Sequence, residues 1–176
     1  MAKSEPNDPE DPSGEFPLDP VGYFIHLTVV LDRRRDLRIG EILAPHGLDV
    51  ATHRVLRVIH KLDACTMGEL ADYTITDRTT LTRIVDHLVA SGHVGRHKPA
   101  KDRRKVMLRL TPDGRRVFHK ARRDIRDFNV ALLDQVTEDD LRRVCRVQKA
   151  VIERLIEEDL LRSRLLWEAG SNDVEA

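Results

Sequence analysis

Leu81, Ile84, Val85, Leu88 and Val89 lie at i, i+3, i+4, i+7 and i+8, a continuous apolar stripe along one side of an α-helix. At about 100° per residue, Thr76, Thr79, Thr80, Arg83, Asp86 and His87 face the opposite way. The pattern places Thr76 as the cap of this helix and Asp77 in its first turn, where a carboxylate favours the helix dipole. Just upstream, Thr66-Met67-Gly68-Glu69 has the spacing of a capping box and opens a short helix that buries Leu70 and Ala71, with Tyr73-Thr74-Ile75 as the turn between the two. Downstream, Ser91-Gly92 ends the helix and the period changes from 3.6 to 2. Val94 to Lys98 reads as a strand, and Val106, Leu108 and Leu110 alternate inward against Lys105, Met107 and Arg109. The tip between the strands is Pro99-Ala100-Lys101-Asp102-Arg103-Arg104, which makes a two-stranded hairpin with a cationic end.

Long amphipathic helices flank this unit. Pro20 is a suitable first helical residue, and Val21, Phe24, Ile25, Val29, Leu37 and Ile42 recur at helical spacing until Pro45 and Gly47 stop the run near Leu43. Asp49 or Thr52 caps a second helix that carries Val55, Leu56, Ile59 and Leu62 and ends about Asp63. Thr111-Pro112 opens a fifth, in which Phe118, Ala121, Ile125, Phe128 and Leu132 step 3, 4, 3, 4. Thr137 begins a sixth with Leu141, Val144, Cys145, Gln148, Val151, Ile152 and Leu155 on one face. Residues 1–19, with four prolines among acidic and small residues, are expected to be a disordered arm, and residues 169–176 a polar disordered tail. No internal repeat is found.

At 176 residues and 40% hydrophobic content the chain suits one domain with a sizeable core, and 4% aromatics favours helices packed through Leu, Val and Ile over a β-sandwich. Two cysteines without C-x-x-C spacing argue against a disulfide framework or zinc ribbon. Without an apolar run of about 18 residues or a signal-peptide pattern, the expected setting is a reducing cytoplasm.

The formal net charge of zero conceals a sorted distribution. From Asp77 to Arg123 there are fourteen Lys and Arg against four Asp, a local excess of +10, whereas residues 1–20 hold Lys3 against six acids. A cationic hairpin beside a helix face of Thr and Arg suits phosphates and groove edges of duplex DNA. Half-sites about one helical turn apart call for a two-fold dimer, and the apolar faces of the fifth and sixth helices supply a surface for it. Their alternative use is packing within the chain. No Gly-rich phosphate loop, no Gly-x-Ser-x-Gly and no acid pair set beside a nucleophile is present, so an enzyme is not expected, and neither is a cofactor.

With Leu81-Thr82-Arg83 in DRTTLTRIVDHL and DRRKVMLRLTPDG at Asp102 to Gly114, the chain resembles the MarR family of bacterial transcription regulators over roughly Val21 to Leu160. The resemblance implies a mainly α fold with a small β-wing, a winged helix-turn-helix flanked by long N- and C-terminal dimerisation helices. In that scheme residues 20–168 form the domain, 50–111 the DNA-binding lobe, and 20–45 with 112–166 the dimerisation helices. The resemblance implies that Thr76, Arg78, Thr79, Thr80, Thr82, Arg83 and Asp86 present a recognition face to the major groove. On the wing, Asp102 braces the loop, Arg103 and Arg104 reach phosphates and the minor groove, and Lys98 and Lys101 join them.

The same resemblance places an effector between the DNA-binding lobe and the dimer helices, a small aromatic acid or its acyl-CoA ester. Residues able to line such a pocket are Tyr23, Phe24, His26, Leu27, Val30, Arg33, His46, His53, Leu56, Arg57 and His60. The expected function is a homodimeric, ligand-responsive repressor on a pseudo-palindromic operator. The alternatives are a winged-helix protein-interaction module that does not bind DNA, or a redox- or metal-sensing regulator of the same fold. For redox sensing, Cys145 reads as an inert core residue, while Cys65 precedes a helix N-terminus able to lower its pKa. For metal sensing, His53 and His60 are two turns apart, which is not the i, i+3 or i+4 spacing of ligands, and no metal site is expected.

Overall fold

The computed structural model describes residues 19–74, 76–99 and 104–159. In chain order the elements are α1 (Pro20–Leu43), a 3₁₀ turn (Ala44–His46), α2 (Val50–Leu62), α3 (Met67–Asp72), α4 (Arg78–Ala90), β1 (Val94–His97), β2 (Met107–Leu110), α5 (Pro112–Leu132) and α6 (Glu138–Leu155). The fold is mainly α with one two-stranded antiparallel sheet. It divides into one unit through Ile39 and a second from Gly40 onward. No helix among the described residues is long and apolar enough to cross a membrane.

In the second unit, the local chemistry of each helix start is explicit. Asp49 caps α2: its carboxylate accepts from the Thr52 amide at 2.7 Å, and the Thr52 hydroxyl oxygen accepts from the Asp49 amide at 2.9 Å. Thr66 and Glu69 form the reciprocal capping box at the start of α3, with the Thr66 amide donating to the Glu69 carboxylate at 2.7 Å. Asp77, not Thr76, caps α4, because its extended backbone lets the carboxylate accept from the Thr80 amide at 2.9 Å.

These helices meet on one apolar core. Leu56 and Ile59 of α2, Leu70 of α3, Leu81, Val85 and Leu88 of α4, Val94 and Leu108 of the sheet, and Phe118 and Ala121 of α5 are all buried. Each such leucine contributes about 1.5–3 kcal/mol relative to leaving it exposed. The strands pair Val94 with Leu110 and His97 with Met107, so Leu108 and Leu110 point inward and Arg109 outward. Val106, expected to face inward, lies ahead of β2 and is exposed, since pairing begins only at Met107. Gly114 explains how α5 joins the sheet: a Cβ there would lie 1.9 Å from the His93 carbonyl oxygen, so only glycine lets the helix start approach that turn.

Between α2 and α3 the chain reverses in a γ-turn. The Ala64 amide donates to the Leu62 carbonyl at 2.6 Å, and Asp63 at the centre has φ 55°, a conformation non-glycine residues rarely adopt. Two residues later Cys65 pairs with Leu108 through amide-to-carbonyl bonds of 3.0 and 2.7 Å, adding one rung to the sheet beside β2.

α6 has the expected amphipathic face but buries none of its side chains, and Val144, Val147 and Leu155 are exposed. Cys145 is exposed as well, which corrects its reading as a core residue: on the face it shares, Leu141, Gln148, Val151 and Ile152 are only half-buried among the described residues. In the first unit, Val21, Ile25, Leu27, Val29, Val30 and Leu31 of α1 are likewise exposed.

Candidate nucleic-acid interface

The outward face of α4 is built by the stripe beneath it. With Leu81, Val85 and Leu88 buried, Arg78, Thr79, Thr80, Thr82, Arg83 and Asp86 are all exposed, and Thr76, just ahead of the helix, is half-buried. The Thr82 hydroxyl donates to the Arg78 carbonyl at 2.8 Å, which leaves its oxygen to accept from a partner. The Asp77 carboxyl is held below the ordinary carboxylate range by hydrogen bonds from the Thr80 hydroxyl and amide, so the start of the helix carries a negative cap. Asp86 accepts from Arg96 of β1 at 2.5 Å. Its charge is thus matched across the junction of helix and wing, and the exposed cations of this face are Arg78 and Arg83.

The wing continues the cationic surface. Lys98 follows β1 and is exposed, as are Arg104 and Lys105 before β2. Lys101, Asp102 and Arg103 lie outside the described residues. At the root of the wing Asp63 accepts from Arg109 of β2 and from Arg115 of α5, each at 2.9 Å. The Arg115 hydrogen bond and then the Arg109 charge hold the Asp63 carboxyl below its ordinary range. This cluster was not among the sequence candidates. A signal for it did exist: a carboxylate at a helix C-terminus opposes the helix dipole and calls for local cations.

The effector candidates fall on both units. Tyr23, His26, Leu27, Val30 and Arg33 are exposed on α1, and Phe24 is half-buried. In the second unit Leu56 is in the core, Arg57 is exposed, and His46 lies 2.7 Å from the Asp124 carboxylate of α5. His53 and His60 are half-buried and flank Phe118, with ring centroids 5.6 and 4.7 Å away, and His119 meets His60 edge-on at 5.0 Å. Among the described residues no group of three or more His, Cys, Asp or Glu is disposed to hold a metal ion.

Cys65 departs from expectation. Burial, and after it the charge of Glu69, pushes its thiol up to about 11, because the residue lies inside the sheet junction rather than at the exposed mouth of α3. A thiol with so little thiolate is a poor redox sensor.

Comparison with known proteins agrees with this geometry. Residues 46–105 match the family model described as MarR family. The chain is 28% identical over 134 residues to the multiple antibiotic resistance protein MarR of Escherichia coli K12, spanning 76% of this chain and 91% of that protein. It is 24% identical over 129 residues to the homoprotocatechuate degradative operon repressor of Escherichia coli, spanning 72% and 87%. A solved structure of an Escherichia coli MarR mutant with operator DNA superposes with a TM-score of 0.65 at 28% identity, covering 75% of this chain and 93% of that one. Cap, stripe, wing and these likenesses converge, and together they support a MarR-family winged-helix transcriptional regulator.

Proposed function

We propose that this DNA-binding regulator is a repressor that works as a homodimer on a pseudo-palindromic operator and is released by a small aromatic acid or its acyl-CoA ester. In this reading Arg78, Thr79, Thr80, Thr82 and Arg83 of α4 contact the edges and phosphates of a major groove, with Thr76 and Asp86 at the margins of that face. The wing, with Lys98, Lys101, Asp102, Arg103 and Arg104, lies along the phosphates and minor groove. Arginine suits both contacts, through bidentate bonds to guanine and through its fit to a narrow, electronegative minor groove. One observation carries the reading: an exposed Thr and Arg helix face continues onto a cationic wing, both mounted on a single buried core.

The exposed apolar faces of α1 and of α6 support the dimer, since a second copy covers them and sets the spacing of the two wings. The name of the homoprotocatechuate operon repressor supports repression, and the operon it names supports an aromatic acid as the class of signal. Release follows if the effector binds better to a dimer whose wings no longer match successive grooves. A coupling of about 1–3 kcal/mol changes operator affinity roughly 5- to 150-fold.

The test is fluorescence anisotropy of the full chain with the duplex upstream of its own gene and with a shuffled duplex. Binding in the nanomolar range, preferring the upstream duplex and falling steeply with salt, is expected. Equal affinity for the two duplexes sinks the reading.

A further inference from the structure

We propose that Asp63 is a positioning residue for DNA binding: its carboxylate clamps the root of the wing by holding Arg109 of β2 and Arg115 of α5 together at the end of α2. The inference rests on the DNA-binding reading of the wing and adds a residue that lies on neither the recognition face nor the wing.

Three elements meet at this one side chain. Arg109 projects from the outward side of β2, between the buried Leu108 and Leu110, and Arg115 lies in the first turns of α5. Both guanidinium groups reach the same carboxylate at 2.9 Å, one to each oxygen. The backbone is organised to deliver it. A γ-turn centred on a residue with φ 55° is an uncommon conformation, and here it aims the carboxylate at the sheet while bringing Cys65 into register with Leu108.

The pairs are not a stability device, because all three side chains are substantially exposed, at 61%, 51% and 40% for Asp63, Arg109 and Arg115. Exposed ion pairs of this kind add little to folding. Geometry is where they act. Arg104, in the turn ahead of β2, is five residues from Arg109 and so at most roughly 15 Å from the root by chain length, and a tilt of about 4° there moves it by up to roughly 1 Å. Two arginines shared by one carboxylate resist that tilt from both the strand and the helix.

A competing account has the opposite sign. If Arg109 and Arg115 were themselves phosphate contacts, Asp63 would mask them, and removing its charge would tighten DNA binding. Asp63→Asn and Asp63→Gly separate the two accounts. Asparagine keeps the shape and tolerates the positive φ, whereas glycine relieves the strained backbone but removes the carboxylate. Both are measured in the full-length protein, alone and combined with Arg104→Ala, by anisotropy on the upstream duplex, thermal melting and amide hydrogen exchange.

The clamp predicts that both variants melt close to wild type yet bind DNA about tenfold more weakly, and that in the Arg104→Ala background this penalty shrinks measurably, because Arg104 is one of the wing contacts that the clamp positions. It also predicts faster exchange at the Met107–Leu110 amides in the free protein. Unchanged or tighter binding by Asp63→Asn overturns the proposal, as does a full tenfold penalty that persists without Arg104. Should wild type show no preference for the upstream duplex, the DNA-binding reading fails instead, and the exchange of residues 107–110 still decides whether Asp63 holds the wing root.

Discussion

α2 and α6 are both amphipathic, α2 with apolar residues at i, i+3, i+4 and i+7 and α6 with Leu141, Val144, Cys145, Val151, Ile152 and Leu155 flanking Gln148 on one face, yet α2 buries Val55, Leu56, Val58 and Ile59 while α6 fully buries no side chain. Such a pattern states that a face needs covering; it does not name the cover. For α2 the cover comes from α4, β2 and α5 of the same chain, and the result is the platform that displays α4 and the wing. For α6 the described residues leave the face at most half-buried, with Val144, Cys145 and Leu155 exposed, and in the proposed dimer a second copy closes it. The contrast turns the question of what each helix does into one of concentration dependence, since a core within the chain is indifferent to dilution and an interface between copies is not.

The largest effect that tests this contrast is expected at Ile59, fully buried in α2. Ile59→Ala is expected to cost about 2–5 kcal/mol of stability through lost burial and the cavity left behind. Chemical denaturation at two protein concentrations checks it: the loss should be the same at both. Val144→Asp on α6 is expected to act differently, weakening self-association at least about tenfold by placing a charge on the apolar face. Sedimentation equilibrium measures that change. If Val144→Asp leaves association untouched, α6 is not the dimer surface and the contrast with α2 fails.

A smaller effect sharpens the description of the lobe alone. At Asp49 burial acts to raise the carboxyl pKa, but hydrogen bonds from the Thr52 amide and hydroxyl and from the Ala51 amide outweigh it, and the net shift is downward. A carboxyl lowered in the folded state stabilises the fold above its unfolded pKa, near 4, and that contribution disappears as the pH falls through the folded value. Asp49→Asn should therefore lower stability at pH 7 slightly and flatten the loss of stability between about pH 5 and 2. Melting temperature against pH for the two proteins reads this directly. An unchanged acid limb would contradict the role given to the cap.

Local signals made much of this fold legible in the sequence. The capping box at Thr66 and Glu69, the stripe Leu81 to Val89, the alternation of Leu108 with Leu110 and the Thr111-Pro112 start each depend on neighbours within a few residues, and the structure places helices and strands there. Cap identity was less legible: Thr76 and Asp77 are both good caps by residue type, and only the backbone geometry selects Asp77. What stayed hidden depends on chain segments far apart in sequence. The bond from Arg115 to Asp63 joins residues 52 positions apart, and the buried Cys65 pairs through its backbone with Leu108, 43 positions on. A helix-mouth argument for Cys65 cannot see that strand, so the lowering it allowed for is not what the burial of the thiol produces. The exposure of Cys145 was hidden for the opposite reason, since an apolar face on α6 looks the same whether its cover is the same chain or another.

In the proposed dimer each chain supplies one DNA-reading lobe and half of the interface, so that operator recognition requires two copies. The most direct measurement is the mass of the complex on the upstream duplex, by analytical ultracentrifugation over a salt series. Two chains per duplex at saturation, with affinity falling steeply as salt rises, is the predicted result. A single chain bound per duplex would contradict it.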